Sequence, residues 1–86
     1  MMYEAYKLKL MQRLKCLKIS ESEYSFDDKK TGDYIYVKQV ENMWHVCQSQ
    51  SNKDATRGIF YKAYDAYDFL FYLVVKKHIS LKKRWW

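Results

Sequence analysis

The strongest constraint on the fold is an apolar stripe with helical spacing in the last third of the chain. One side of a helix drawn from about Lys62 to Lys77 collects Ala63, Tyr67, Leu70, Phe71, Val74 and His78, and Ala66, Phe69 and Leu73 widen this stripe. The opposite side carries Asp65, Asp68, Tyr72 and Lys76. The acids come first and the lysines last, which is the polarity that the helix dipole favours. The pattern predicts an amphipathic helix packed on a core.

A second helical pattern covers the start of the chain. Tyr3, Tyr6, Leu10, Leu14 and Leu17 follow one another at spacings of 3, 4, 4 and 3 residues, which places them on one side of a helix. No proline interrupts the pattern, because the chain contains none. The sequence therefore predicts a helix from Met2 to about Ile19, ended by the serines that follow.

Between the two helices the sequence favours strands. Tyr24 and Phe26 alternate with polar residues, and the runs Tyr34–Val40 and Met43–Gln48 are rich in β-branched and aromatic residues. A glycine-bearing turn precedes the first run and a short polar gap separates the two, so antiparallel hairpins are expected at both places. The polar stretch 48–56 is typical of a loop, and residues 57–61 predict a short fourth edge strand.

These elements predict an α+β fold in the order α-β-β-β-(β)-α. An N-terminal helix precedes a three- or four-stranded antiparallel sheet, and the C-terminal helix packs on one face of that sheet. With 86 residues, the chain has room for one core, so a single domain is expected over residues 1–86, with 82–86 as a basic, aromatic tail.

Composition favours a cytoplasmic protein. The longest apolar run, Phe69–Val75, has seven residues, whereas a membrane-spanning helix needs about 20. Lysines interrupt the first 19 residues, so no secretory leader is expected. Two cysteines are few for a small secreted domain held together by disulfides, and free thiols are the expected state.

The charges are unevenly distributed along the chain. The net charge of +6 divides into +4 over residues 1–18, −3 over residues 19–75 and +5 over residues 76–86. Cations that follow phosphates, next to indoles that stack on bases, are typical of nucleic-acid binding. The candidate residues for that alternative function are Lys82, Lys83, Arg84, Trp85 and Trp86.

The sequence contains no recognisable catalytic or metal-binding motif. The available histidines and cysteines are Cys16, His45, Cys47 and His78, and none forms a pair at the spacing of a zinc site. A nucleophile elbow and a phosphate-binding glycine loop are also missing from the sequence. We therefore expect neither an enzyme nor a protein with a metal or another cofactor.

Aromatic residues make up 19% of the chain, and nine of them are tyrosines. The core of a small domain cannot hold this many rings, and some of them are therefore expected at the surface. Exposed tyrosine and tryptophan side chains often form the strongest contacts in protein interfaces. Tyr34 and Tyr36 share a strand face with Lys38, while Ile35 and Val37 occupy the other face. We expect the first of these faces to be open and to bind a partner.

Four segments, Gly32–Val37, Trp44–Val46, Arg57–Phe60 and Tyr64–Leu70, resemble small bacterial immunity proteins. Those proteins neutralise toxin domains of contact-dependent growth inhibition and other polymorphic toxin systems. The shared pattern is a strand hairpin carrying a tryptophan, an Arg-Gly turn, a phenylalanine, and a helix that opens with an acidic residue and alanine.

The resemblance implies a cytoplasmic antitoxin that binds one cognate toxin domain, a nuclease of the RNase type, and blocks its active site or substrate groove without turnover. The candidate partner-binding residues are Tyr34, Tyr36 and Trp44 as anchors, with Glu41, Asp54 and Arg57 as charged contacts. The sequence leaves open whether Trp44 lies in the core and whether the free protein forms a homodimer.

Overall fold

The computed structural model describes residues 2–26, 33–51 and 53–83, with side chains over 3–26, 33–51 and 53–80. The elements are α1 (Met2–Cys16), β1 (Tyr24–Ser25), β2 (Tyr34–Val40), β3 (Met43–Gln50), β4 (Lys53–Phe60) and α2 (Ala63–Lys83), with a 3₁₀ turn at Glu21–Glu23. The four strands form one sheet in the order β1-β2-β3-β4. The predicted α+β fold, with a helix before and after a four-stranded sheet, is confirmed.

The sheet is mixed and not purely antiparallel. β2 and β3 pair antiparallel, as do β3 and β4, but β1 runs parallel to β2, with Tyr24 facing Ile35 and Ser25 facing Tyr36. The predicted hairpin between the first two strands is therefore wrong. β1 has only two residues. Its direction is set by the point at which the chain leaves α1 and by the burial of Tyr24 in the core. Local turn residues specify neither of these.

The loop predicted over residues 48–56 is wrong for most of its length, because β3 extends to Gln50 and β4 begins at Lys53. Gln50 faces Lys53 at the end of the hairpin, and the Ser51 backbone N–H donates to Asp33 Oδ1 at 3.0 Å, which ties this end of the hairpin to the start of β2. Six of the eight residues of β4 are exposed. Its polar sequence reflects a solvated edge strand, since backbone pairing does not require apolar side chains.

The main core lies between the helices and one face of the sheet. It contains Leu10 and Leu14 of α1, Ile35 and Val37 of β2, Val46 of β3, and Ala66, Leu70 and Val74 of α2. Each fully buried aliphatic side chain of this kind contributes about 1.5–3 kcal/mol of transfer free energy. The predicted α2 stripe faces this core, and so do Leu10 and Leu14 of the predicted α1 stripe, whereas Tyr3 and Leu17 at its two ends are exposed.

α1 ends three residues earlier than predicted. Lys18 adopts a left-handed conformation with a φ of 62°, and the Ile19 N–H donates to the Leu14 carbonyl at 3.0 Å. Together with the bond from the Lys18 N–H to the Lys15 carbonyl, this is a Schellman motif with lysine in the position that glycine prefers. Burial of both Leu14 and Ile19 stabilises this end of the helix.

α2 extends beyond the predicted end at Lys77 as far as Lys83. Its Asp65, Asp68, Tyr72 and Lys76 are exposed, as the opposite stripe predicted. In the part of the chain that the structure describes, no helix combines the length and the apolar character needed to cross a lipid bilayer.

Candidate partner-binding surface

Tyr34 and Tyr36 are buried, and the expectation that they lie in water is wrong. Their side chains are 1% and 2% exposed, and their ring centroids are 5.3 Å apart. With Cys47 they form a second apolar cluster on the sheet face that points away from the helices. We call these three residues the second-face cluster. Both tyrosines share a face, as predicted, but neither ring is open to a partner.

The environment of Tyr36 keeps its phenol neutral. Burial raises the pKa of Tyr36 above its ordinary value of 10.0, and the neighbouring Cys47 and Asp54 raise this pKa further. Tyr36 also forms a side-chain hydrogen bond with Cys47, whose Sγ lies 3.9 Å from Thr56 Oγ1. These polar contacts explain how tyrosines are accommodated in a buried cluster.

Trp44 is half-buried and belongs to an aromatic wall on the helix side of the sheet. The ring centroids of Tyr3, Trp44 and Tyr67 lie 6.0–6.5 Å from one another, and all three rings line a cleft of about 550 Å³. Lys7 also lines this cleft: its Nζ lies 5.9 Å from the Tyr67 ring and 2.8 Å from Glu4 Oε1. The structure thus gives Trp44 a packing role at the rim of the core.

Glu41 and Asp54, two of the three predicted charged contacts, lie near opposite ends of the sheet. Glu41 is exposed in the turn between β2 and β3, with a φ of 57°, whereas Asp54 is exposed near the opposite end of the sheet. Asp54 faces Ser49, which is five residues after Trp44 on β3 and therefore about 17 Å away along the strand. The six predicted residues do not form one site.

Arg57 is the extra residue of a bulge in β4. Val46 faces Gly58 and Cys47 faces Thr56, which leaves Arg57 without an opposite residue on β3. Its Nη1 donates to Gln48 Oε1 at 2.5 Å, and the two side chains line a cleft against α2. The bulge therefore directs an exposed guanidinium towards the helix side of the sheet edge.

Gly58, next to the bulge, lets α2 approach β4 closely. A Cβ atom at this position would lie 2.9 Å from Phe60 Cε2 and 3.0 Å from Phe69 Cε2. The rings of Phe60 and Phe69 are 5.3 Å apart, and Tyr72 stacks on Phe69 at 6.3 Å with an interplanar angle of 24°. Glycine therefore allows the closest packing of an aromatic row that runs from the edge strand onto the exposed side of α2.

Three adjoining clefts follow this edge of the molecule. A cleft of about 350 Å³ includes Lys53 and Arg57, and the next, of about 210 Å³, includes Arg57, Lys76 and Lys77. A third, of about 300 Å³, lies along α2 and includes Tyr72, Lys76 and Ile79. We call the exposed edge of β4 together with Lys53, Arg57, Tyr72, Lys76, Lys77 and Ile79 the β4–α2 surface.

The β4–α2 surface combines bases with exposed apolar groups. Four basic side chains line its three clefts, and none of the described lining residues is acidic, although the exposed Asp54 lies on the same strand. Tyr72 and Ile79 are exposed, and the Lys76 ammonium lies 5.7 Å from the centroid of the Tyr72 ring. A surface of this composition is suited to an acidic partner that also brings apolar side chains.

Sequence reasoning found Arg57 of this surface but missed Tyr72, Lys76, Lys77 and Ile79 as contacts. The available signal was an aromatic residue, Tyr72, within the polar stripe of an amphipathic helix. The residues predicted for nucleic-acid binding cannot be placed on this surface. The side chains of Lys82 and Lys83, and all of Arg84, Trp85 and Trp86, lie outside the described residues.

Metal ligands are not brought together in the regions that the structure describes. No group of three or more histidine, cysteine, aspartate or glutamate side chains lies close enough there to hold an ion. Cys16 is exposed and Cys47 is buried, and both are free thiols.

Comparisons of the chain with known protein families, with curated proteins and with solved structures find no match in any of the three. The geometry of the β4–α2 surface and the resemblance of the segment from Gly32 to Leu70 therefore carry the functional proposal.

Proposed function

We propose that this protein is an immunity protein, which binds a cognate bacterial toxin domain in the cytoplasm and neutralises it. The observation that carries the proposal is the β4–α2 surface, where a long exposed edge strand adjoins an exposed tyrosine and a row of bases. Apolar and aromatic groups left in water next to charged groups are the usual ingredients of a protein interface.

The resemblance supports the same function. The described residues of its four segments lie in or next to parts of β2, β3 and β4 and in the first turns of α2, and these strands are neighbours in the sheet. The Arg-Gly pair of the pattern lies at a strand bulge and not in a turn, with Arg57 exposed and Gly58 under Phe69. Arg57 thus belongs to the proposed interface, whereas Gly58 allows the close packing of β4 against α2 that supports this interface.

The mechanism we propose is stoichiometric occlusion. The toxin is a nuclease, and the bound protein blocks its active site or substrate groove without itself catalysing a reaction. A stable complex of this kind buries about 1,600 Å² in total and depends on a few central side chains. Tyr72 and Arg57 are our candidates for those side chains, and they replace the buried Tyr34 and Tyr36.

The proposal is tested with the product of the gene immediately upstream, because an immunity gene normally follows the gene of the toxin it neutralises. Co-expression of the full chain with the toxin domain of that product is expected to restore growth, and the purified chain is expected to abolish nuclease activity at a ratio near one to one. The double variant Tyr72→Ala/Arg57→Glu is expected to lose most of this inhibition. Intact inhibition by the double variant would place the interface elsewhere, and failure of the wild-type chain to bind the domain would refute the function.

A second candidate function, RNA or DNA binding, is favoured by the four bases that line the β4–α2 clefts without an acid. Phosphate binding weakens steeply between low and moderate salt, whereas an interface with aromatic anchors changes mainly in its association rate. Removal of residues 82–86 also separates the two functions, because it should weaken nucleic-acid binding, to which these three bases and two indoles would add, and leave toxin inhibition unchanged.

A further inference from the structure

We propose that the partner docks on the β4–α2 surface as an extended acidic segment that adds a strand to the free edge of β4 and places its carboxylates against Arg57, Lys76 and Lys77. The inference rests on the proposed function in that the segment belongs to the toxin domain. It specifies the chemistry and the conformation of the part that binds.

The edge of β4 supplies the backbone groups for such pairing. Within the described residues, β4 pairs with β3 alone, and it is the last strand of the sheet. With eight residues it is longer than the average strand of about five to six. Its exposed outer edge offers N–H and C=O groups to an added strand. The features of the described strand that usually discourage such pairing are the bulge at Arg57 and the charged side chains of Lys53, Asp54 and Arg57.

The two sides of this edge differ in chemistry, and this difference predicts how acidic and apolar residues alternate along the docked segment. Arg57 lies on the helix side, where the clefts with Lys76 begin. Ile59 faces His45 and is exposed on the side away from the helices. Because successive side chains of a strand point to opposite faces, an added strand would direct acidic residues towards the bases and apolar residues towards Ile59.

The same features favour a polypeptide over a nucleic acid. Ile59 and Ile79 are exposed aliphatic side chains, which neither stack on bases nor contact phosphates. A free strand edge is matched by another backbone with alternating N–H and C=O groups. The bases then contribute specificity and a fast association with an acidic segment.

The test uses the full chain, labelled with nitrogen-15, and a blocked peptide of about eight residues that alternates glutamate and valine. We expect the backbone amide signals of β4 to shift during titration and to saturate in the micromolar to millimolar range. A peptide with lysine in place of glutamate is expected to bind roughly tenfold more weakly or not at all. In the Arg57→Glu/Lys76→Glu variant, the order of the two peptides should reverse.

A matched variant, Lys9→Glu/Arg13→Glu, makes the same charge change on exposed positions of α1 and is expected to keep the wild-type preference. The inference is overturned if the β4 amides do not shift, if both peptides bind equally, or if a short single-stranded RNA shifts the β4 amides and the acidic peptide does not. None of these results refutes toxin binding, which the inhibition assay measures separately. Conversely, the peptide titration gives its answer even if the neighbouring toxin proves to be the wrong partner.

Discussion

Tyr36 and Tyr72 show how differently the same residue type is used in two regions of this protein. Tyr36 lies in the second-face cluster, among the most deeply buried side chains, whereas Tyr72 lies on the β4–α2 surface and is exposed. In both cases the sequence pattern assigned the ring to a face correctly. Periodicity tells which side chains lie together, but exposure depends on what covers that face, and other parts of the chain decide this.

The largest expected effect is the loss of a ring from the second-face cluster. Tyr36→Ala should lower the free energy of unfolding by about 3–5 kcal/mol, because it removes a buried aromatic side chain and leaves a cavity. Tyr61→Ala, at a position that is 84% exposed, should change it by less than about 0.5 kcal/mol. Urea denaturation measures both values.

If Tyr36→Ala does not fold, Tyr36→Phe keeps the measurement possible. It should cost about 0.5–1.5 kcal/mol through the hydrogen bond with Cys47. Equal effects of Tyr36→Ala and Tyr61→Ala would show that the second face is open in solution, which would restore Tyr36 as a candidate anchor.

The second-face cluster also predicts a loss of stability in alkali. The raised pKa of Tyr36 means that the folded protein holds the phenol proton more tightly than the unfolded chain does. Stability is therefore independent of this group well below pH 10 and falls as the pH rises above about 10, with a slope approaching 1.4 kcal/mol per pH unit for one such group. Denaturation curves collected across this range should show the decline.

Tyr36→Phe is the control for the alkaline decline and should make it shallower. Some decline should remain in this variant, because burial also raises the pKa of Tyr24. Identical slopes for the wild-type chain and the variant would contradict the burial of Tyr36.

A smaller effect is expected where β4 meets α2. Gly58→Ala places a methyl group against the rings of Phe60 and Phe69, which must move by a few tenths of an ångström. The expected cost is about 1 kcal/mol, since overpacking is partly offset by the lower chain entropy of alanine. Thermal unfolding and the near-ultraviolet circular dichroism of the aromatic row measure it, and an unchanged spectrum would contradict the close contact.

The smallest effect on stability is expected at Tyr72. Tyr72→Ala should change the free energy of unfolding by about 0.5 kcal/mol or less, because the ring is 55% exposed. Leu8→Ala on α1, where the side chain is 57% exposed, is the matched control. The two variants should be similar in stability, but Tyr72→Ala alone should weaken toxin binding, by about tenfold or more. Equal binding by both variants would remove Tyr72 from the interface.

Local patterns predicted most of the secondary structure. The helices were predicted from apolar residues that recur about every 3.6 residues, and β2 and β3 were predicted from β-branched and aromatic runs around a short polar turn. β4 was missed over residues 53–56, because an edge strand held by backbone pairing carries the same polar residues as a loop. The parallel pairing of β1 was missed because two residues contain no signal for direction.

For the candidate site, the sequence by itself determined that many aromatic rings and an excess of bases had to be accommodated in one small α+β domain, and it pointed to Arg57. The tertiary structure alone decided that the rings of Tyr34 and Tyr36 are covered, whereas the helical pattern already placed Tyr72 on the polar side of α2. It also placed Lys76, which lies over the exposed Tyr72 ring, in one cleft with Arg57, although Arg57 belongs to β4 and the other two residues to α2. The physical reason is that periodicity is a local property of a segment, whereas exposure and the meeting of side chains from different elements depend on long-range packing.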